Sequence, residues 1–159
     1  MEQVGLVVLG AVLALMTSIV VEFIKIQLSA LRTKKLFKSL LKIDIPSILS
    51  SIDRLVEDYG KLGYIPILAI NQIDASRQGY DRNRDWIILF GEENFQRDLI
   101  SFYQQLSAVS SQANVLESLP LQHQQQNTDF VTRQRQELVA QFRDIAGRGR
   151  ELLQRIDRQ

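Results

Sequence analysis

Closely spaced arginines in the C-terminal part of the chain could do one kind of chemistry, the binding of phosphate. Arg148 and Arg150 alternate with Gly147 and Gly149, so guanidinium groups stand next to backbone that no side chain covers. Guanidinium groups bind phosphate bidentately, and exposed backbone N–H groups add to such a site. Arg148 and Arg150 are therefore candidate ligands for a nucleotide, an RNA or a phosphorylated molecule.

Acidic residues interspersed among these arginines favour a second interpretation. Glu151 precedes Arg155 by one helical turn, the spacing at which side chains form ion pairs along a helix. A solvated helix face with such pairs needs no ligand. The net charge of the chain is only +1, so we do not expect nucleic acid to be a partner.

Oxygen-bearing side chains in the middle of the chain follow the spacing of a calcium-binding loop. Asp81, Asn83, Asp85 and Glu92 match its first, third, fifth and last ligand positions. The loop needs glycine for its sharp turn, where this chain has Trp86. A polar loop between helices explains the same residues, so we predict no metal site.

Other catalytic chemistry finds little support. The chain has no cysteine and a single histidine, which excludes disulfides, thiolate nucleophiles and clusters of histidine ligands. Phosphate-binding glycine motifs, zinc-protease motifs and nucleophile-elbow motifs do not occur. We expect neither an enzyme nor a bound cofactor.

The first predicted element of the chain is an uncharged, mostly aliphatic run at residues 4–21. As a helix it would be about 27 Å long, close to the ~30 Å hydrocarbon thickness of a bilayer. A cleaved signal peptide is the main alternative, but it needs a positive leading region, where this chain has Met1, Glu2 and Gln3. We predict a transmembrane anchor at residues 1–24.

Positive charges follow the anchor, with no acidic residue between Glu22 and Asp44. Lysine and arginine stay on the cytoplasmic side of a membrane, so we expect the N-terminus outside and the rest in the cytoplasm. Residues 25–43 are predicted to form a basic amphipathic stem. Its candidate contacts to anionic lipid headgroups are Lys25, Arg32, Lys34, Lys35, Lys38 and Lys42.

Small residues recur every four positions inside the predicted span, at Gly10, Ala14 and Ser18. Such a face lets two helix backbones approach closely in lipid, although small residues are common in any membrane helix. These three residues are candidates for helix packing between copies of the chain.

Residues 44–159 predict an all-α cytosolic domain with a linker at about 117–127. Asp44 followed by Pro46 is a helix-start signal, and Gly60 and Gly63 predict that helix's end. Residues 76–85 are predicted to be a loop, and residues 86–90 a short helix capped by Asp85 and ended by Gly91. The final helix is predicted from about Thr128.

Apolar residues in alternating steps of four and three define the clearest predicted helix, which reaches Leu116. We predict an interaction seam along it, suited to bundle or coiled-coil packing. The seam residues are Phe95, Leu99, Phe102, Leu106 and Val109.

The order of anchor, basic stem and helical domain resembles that of uncharacterised bacterial membrane proteins. Residues 99–106 resemble their aromatic-bearing bundle helix, and residues 149–153 their closing helix. The layout is also similar to membrane-bound effectors of phage-defence systems. From the residues, we predict a non-enzymatic, single-pass protein of the plasma or inner membrane that binds protein partners or copies of itself. The alternative is a ligand-gated membrane effector that senses a nucleotide or phosphate through Arg148 and Arg150.

Overall fold

The computed structural model describes the backbone of residues 2–158, and the side chains of residues 15–158 except those of 121 and 126. Its α-helices are α1 (Glu2–Leu62), α2 (Ile67–Asn83), α3 (Glu93–Glu117), α4 (Leu121–Gln126) and α5 (Thr128–Arg158), with a 3-10 helix at Arg84–Phe90. No strand occurs within residues 2–158, which confirms the all-α prediction. The chain divides into two compact units, Met1–Leu36 and Phe37–Gln159.

The first long helix passes through Pro46 without ending, so the predicted helix start at Asp44 is wrong. Proline in a helix interior removes one backbone hydrogen bond. An apolar stripe on both sides of it offsets that loss, because its members are buried at helical spacing in a single core. These residues are Phe37, Leu41, Ile45, Ile48, Ile52 and Leu55. Gly63 then ends α1 with a positive φ of 72°.

The predicted loop at residues 76–85 is also wrong, because α2 continues to Asn83. Tyr80 explains why this polar segment stays helical. Its ring stacks on that of Tyr103 with centroids 3.6 Å apart, and its other neighbour is Phe37 at 6.4 Å. Only if the segment stays helical does Tyr80 lie on the core face of α2, where its ring packs in this aromatic cluster.

Four helices form the second unit as an antiparallel bundle: α1 from Phe37, then α2, α3 and α5. Four contacts set the directions of α1 and its neighbours. Between α1 and α2 they are Asp44 beside Gly79 and Ser47 with Ser76, and between α1 and α5 they are Lys42 with Asp157 and Asp53 with Arg150. Arg155 with Asp98 and Arg135 with Glu117 do the same for α3 and α5. Each helix therefore runs opposite to the one before it in the bundle.

Gly149 is a point of close approach between α5 and its neighbours. A Cβ atom there would lie 2.9 Å from Leu49 Cδ2 and 2.9 Å from Phe102 Cε2. The apolar face of α5 is buried core on either side of this contact. Its residues are Val131, Leu138, Phe142, Ile145, Leu152 and Ile156.

The connections between helices are short and partly helical. The predicted short helix after α2 is confirmed as the 3-10 helix, and Gly91 ends it at a φ of 69°. Asp85 does not cap it, because it lies inside the first turn and Asn83 holds the cap position. Between α3 and α5, the predicted linker contains α4, which begins after Pro120.

Candidate membrane and interaction surfaces

The described part of the chain contains no helix that combines the length and the apolar character needed to cross a bilayer. Most of the predicted span, residues 4–14, falls outside the described side chains. The anchor at residues 1–24 therefore stays a prediction. What the structure does describe is the segment immediately after residue 14.

Exposed apolar side chains dominate α1 between residues 15 and 36. Every residue from 15 to 29 is exposed. The large apolar residues as far as Leu31 cover about two thirds of the helix circumference, and the rest is a polar stripe of Ser18, Glu22, Lys25, Ser29 and Arg32. The large exposed members are Leu15, Met16, Ile19, Val20, Val21, Phe23, Ile24, Ile26, Leu28, Leu31 and Leu36. We call residues 15–36 the apolar segment. An exposed apolar surface of this extent is typical of a helix that contacts lipid or another apolar surface.

The six basic residues predicted to bind headgroups differ in their surroundings. Lys25, Arg32 and Lys35 are exposed, whereas Lys34 and Lys38 are half-buried. Lys42 forms an ion pair with Asp157, 2.5 Å from Nζ to Oδ1, and this hydrogen bond lowers the pKa of Asp157. Lys42 therefore takes part in the bundle. The other five basic residues lie before it along α1.

The predicted packing face of the span is described only at its end. Gly10 and Ala14 lie outside the described side chains, and Ser18 is exposed. The interpretation of these three residues as a helix-packing face stays a prediction.

The predicted interaction seam on α3 is internal core. Phe95, Leu99 and Leu106 are completely buried, and Phe102 and Val109 are at most 6% exposed. They pack within one chain, and Phe102, for example, lies against α5 at Gly149. This corrects the expectation of a contact surface, because a heptad face that already packs on α2 and α5 is not available to a partner.

Arg148 and Arg150, the candidate phosphate ligands, are both engaged within the chain. Arg148 pairs with Asp144 and donates a hydrogen bond to Gln105 Oε1, while Arg150 reaches Asp53 at 2.8 Å. The two side chains remain 49% and 53% exposed. Because each guanidinium has a carboxylate of its own chain beside it, the arrangement matches the ion-paired interpretation of this helix face.

The residues with calcium-loop spacing do not form a loop. Asp81 and Asn83 belong to α2, and Asp85 to the 3-10 helix. Asp81 pairs with Arg77, and the Asn83 amide donates a hydrogen bond to the carbonyl of Gly79. Within the described residues, no three acidic or histidine side chains gather in a way that could hold a metal.

A buried ion pair that the sequence did not indicate lies at the C-terminal end of α3. Arg135 donates hydrogen bonds from Nε and Nη2 to the two carboxylate oxygens of Glu117, each at 2.8 Å. It borders a cleft of about 500 Å³ whose rim includes Leu62, Tyr64 and Ile67. The spacing of eighteen residues across a helix connection carries no local signal, so only the folded chain brings the two charges together.

Comparison with protein-family models, with curated proteins and with solved structures finds no match to this chain.

Proposed function

We propose that this chain is a non-enzymatic, single-pass protein of the plasma or inner membrane, whose cytosolic bundle acts through contacts with other proteins, including copies of itself. The apolar segment is the observation that carries the proposal. It continues the uncharged run at residues 4–21 with exposed apolar side chains over about two thirds of the circumference of α1 as far as Leu31. Transfer of each such side chain out of water is worth about 1.5–3 kcal/mol. Lipid and neighbouring membrane helices are the surroundings that recover this free energy along a whole helix.

The charge pattern supports an orientation for this anchor. Lys25, Arg32 and Lys35 are exposed on α1 directly after its most apolar part. Basic residues near the end of a span are retained in the cytoplasm and attract anionic headgroups at about 1 kcal/mol each. The proposal therefore has the N-terminus outside and the bundle in the cytoplasm.

Self-association is proposed through α1, because the bundle buries its own heptad faces. Gly10, Ala14 and Ser18 would form the close-packing face in lipid. The exposed side chains after them would extend the contact as far as the basic stem.

Washing of membranes with alkaline carbonate tests the anchor. We expect the full chain to stay in the pellet, and Val20→Asp to move a measurable fraction into the wash, because a charge in a span costs about 2.5–3.5 kcal/mol. Leu68→Asp is the matched control, since Leu68 is an exposed apolar residue of α2 in the bundle. Release of the unmodified chain by carbonate would refute the anchor, and equal release of the two variants would assign no special role to the apolar segment.

Disulfide crosslinking tests self-association, and the chain suits it because it contains no cysteine. Ser18→Cys lies on the proposed packing face, whereas Val20→Cys points away from it, since two residues turn a helix by about 200°. Oxidation of native membranes should give a dimer from Ser18→Cys in clear excess over Val20→Cys. Equal yields would indicate random collision, and no dimer from either variant would contradict pairing through this face.

A further inference from the structure

One end of the bundle is built around Phe37, the first bundle residue of α1. The Phe37 ring lies 6.1 Å from that of Trp86 and 5.8 Å from that of Phe90, so the 3-10 helix packs at this end. The last turn of α5 lies there too, because Asp157 pairs with Lys42. In the sequence, this end follows directly on the basic residues of the stem. With the chain anchored as proposed above, it is the end of the bundle that is connected to the bilayer.

The 3-10 helix exposes a large apolar side chain at this end. Ile88 is 72% exposed, whereas Ile87 and Phe90 of the same short helix are buried in the core. The carbonyl oxygen of Ile88 accepts a hydrogen bond from the Gln96 amide at 3.5 Å, so Ile88 lies beside the first turn of α3. Trp86 is half-buried and packs partly on the core. Exposed apolar side chains are stabilised at the boundary between headgroups and acyl chains, and tryptophan is enriched there.

Exposed arginines lie at the same end, because α2 ends and α3 begins at the 3-10 helix. Arg82 of α2, Arg97 of α3 and Arg158 at the end of α5 are exposed and form no ion pair among the described residues. Arg84 is 74% exposed, and its contact with Asp85 Oδ1 is long, at 3.9 Å. Guanidinium groups bind phosphate bidentately, so these side chains are available to phosphate-bearing anions.

Most carboxylates at this end are neutralised within the chain. The ion pairs that do so are Asp81 with Arg77, Glu92 and Asp98 with Arg155, and Asp157 with Lys42. Among the described residues at this end, the exposed carboxylates of Asp85 and Glu93 oppose the arginines of the preceding paragraph and are fewer than they are. The surplus charge is therefore positive, which is complementary to an anionic surface.

We propose that this end of the bundle docks on the lipid surface, with Ile88 in the boundary between headgroups and acyl chains and with Arg82, Arg84 and Arg158 bound to anionic headgroups. The inference rests on the proposed membrane anchor, because a tether keeps this surface at a high effective concentration beside the lipid. Contacts too weak to hold a free protein on a membrane are then sufficient to hold the bundle against it.

Fluorescence of Trp86 tests the docking, because Trp86 is the only tryptophan of the chain. The full chain is reconstituted into vesicles whose acyl chains carry bromine, a short-range quencher, near the headgroup. One set of vesicles contains phosphatidylcholine alone, and the other contains phosphatidylcholine and phosphatidylglycerol in equal parts. We expect stronger quenching of Trp86 in the vesicles with phosphatidylglycerol, and a loss of that difference at high salt, because salt screens the attraction.

Two pairs of variants separate the apolar contact from the charges. Ile88→Asp should abolish the quenching, whereas Leu68→Asp should leave it unchanged, because Leu68 is an equally exposed apolar residue at the other end of α2. Arg82→Gln should lower the quenching in the vesicles with phosphatidylglycerol. Arg133→Gln is its matched control and should not, since it removes the same charge from an exposed position near the start of α5, at the opposite end of the bundle.

A carbonate wash of the same vesicles distinguishes failure of the docking from failure of the anchor. Retention of the chain with unquenched Trp86 would overturn the docking and leave the anchor standing, whereas release of the chain would refute both. Equal quenching in the two lipid mixtures, or equal effects of Ile88→Asp and Leu68→Asp, would also overturn the docking. Crosslinking of Ile88→Cys to another polypeptide in native membranes would assign this surface to a protein partner instead.

Discussion

Glu117 and Arg135 form a bidentate ion pair with side chains that are only 5% and 14% exposed. Glu117 Oε1 also accepts a hydrogen bond from the backbone N–H of Ile65, which lies in the α1–α2 connection. One carboxylate thus ties the end of α3 to α5 and to a third part of the chain. The hydrogen bond from Arg135 to Glu117 raises the pKa of Arg135, so the guanidinium stays charged under all ordinary conditions.

Arg135→Ala should strongly destabilise the bundle, because it leaves the Glu117 carboxylate buried beside one remaining backbone donor. We expect the free energy of unfolding to fall by about 3–5 kcal/mol, the usual cost of breaking a buried pair. Urea denaturation of the full chain in detergent, followed by circular dichroism, measures the loss. Arg148→Ala is the control, since its exposed pair with Asp144 should contribute less than about 1 kcal/mol. Similar losses in the two variants would contradict the special role of the buried pair.

Gly149→Ala and Gly147→Ala should change stability in opposite directions, although both replace a glycine of α5. The new Cβ at position 149 would meet Leu49 and the rigid ring of Phe102, whereas at position 147 nothing lies within 4 Å. Overpacking costs about 1–3 kcal/mol, and the gain in helix propensity is up to ~1 kcal/mol. Thermal unfolding should therefore show a lower melting temperature for Gly149→Ala and a higher one for Gly147→Ala. A gain in both variants would mean that the contact at Gly149 is not close.

Asp44 should make the bundle less stable as the pH rises above the ordinary range of a carboxyl. Burial raises its pKa, against a smaller opposing interaction with the backbone of Tyr80, and its Oδ2 has no partner among the described residues. The folded chain then binds the proton more tightly than the unfolded chain, so stability falls as pH rises through the unfolded and then the folded pKa. Asp44→Asn should be more stable than the wild type at pH 7, by roughly a few tenths of a kcal/mol after solvent screening, and equal to it below about pH 4.

Asp157→Asn is the control of opposite sign for that pH experiment. The hydrogen bond from Lys42 lowers the pKa of Asp157, so its stabilising effect is present at neutral pH and is lost as the pH falls through the lowered pKa. Denaturation curves at pH 7 and at a pH well below 3.8, the ordinary pKa of an Asp carboxyl, compare the two variants with the wild type. A destabilising effect of Asp44→Asn at pH 7 would show that the Asp44 carboxylate is better paired than its surroundings indicate.

Leu99→Ala should lower stability without changing the size of any oligomer. Leu99 is completely buried in the core of one chain, and truncation of such a leucine costs about 2–5 kcal/mol. Ile88→Ala is the control, because Ile88 is 72% exposed on the 3-10 helix. Urea denaturation measures stability, and light scattering of the detergent-solubilised chain measures size. Dissociation of an oligomer by Leu99→Ala with unchanged stability would restore the seam as an interface.

The long helices α3 and α5 were predictable because their apolar residues repeat with helical spacing, and each repeat corresponds to a buried face. Pro46 suggested a helix start and the polar residues of α2 suggested a loop, and both predictions were wrong. Burial of Ile45 and of Tyr80 in the core stabilises helix at these two places despite the local signals. The sequence identified the α3 face from Phe95 to Val109 as apolar. It could not tell whether this face packs within one chain or against a second chain, because the heptad pattern is the same in both cases.

The amino-acid sequence by itself determined the helical class, the apolar character of residues 4–31 and the order of basic residues after them, because these depend only on residue types and their spacing. Tertiary structure alone decided which carboxylates meet which arginines, from Glu117 with Arg135 to Asp53 with Arg150. It also decided that the Tyr103 ring stacks on that of Tyr80 while its hydroxyl is buried without a hydrogen-bond partner among the described residues. Such pairings join positions far apart in the chain, so they depend on how helices pack and not on any local pattern.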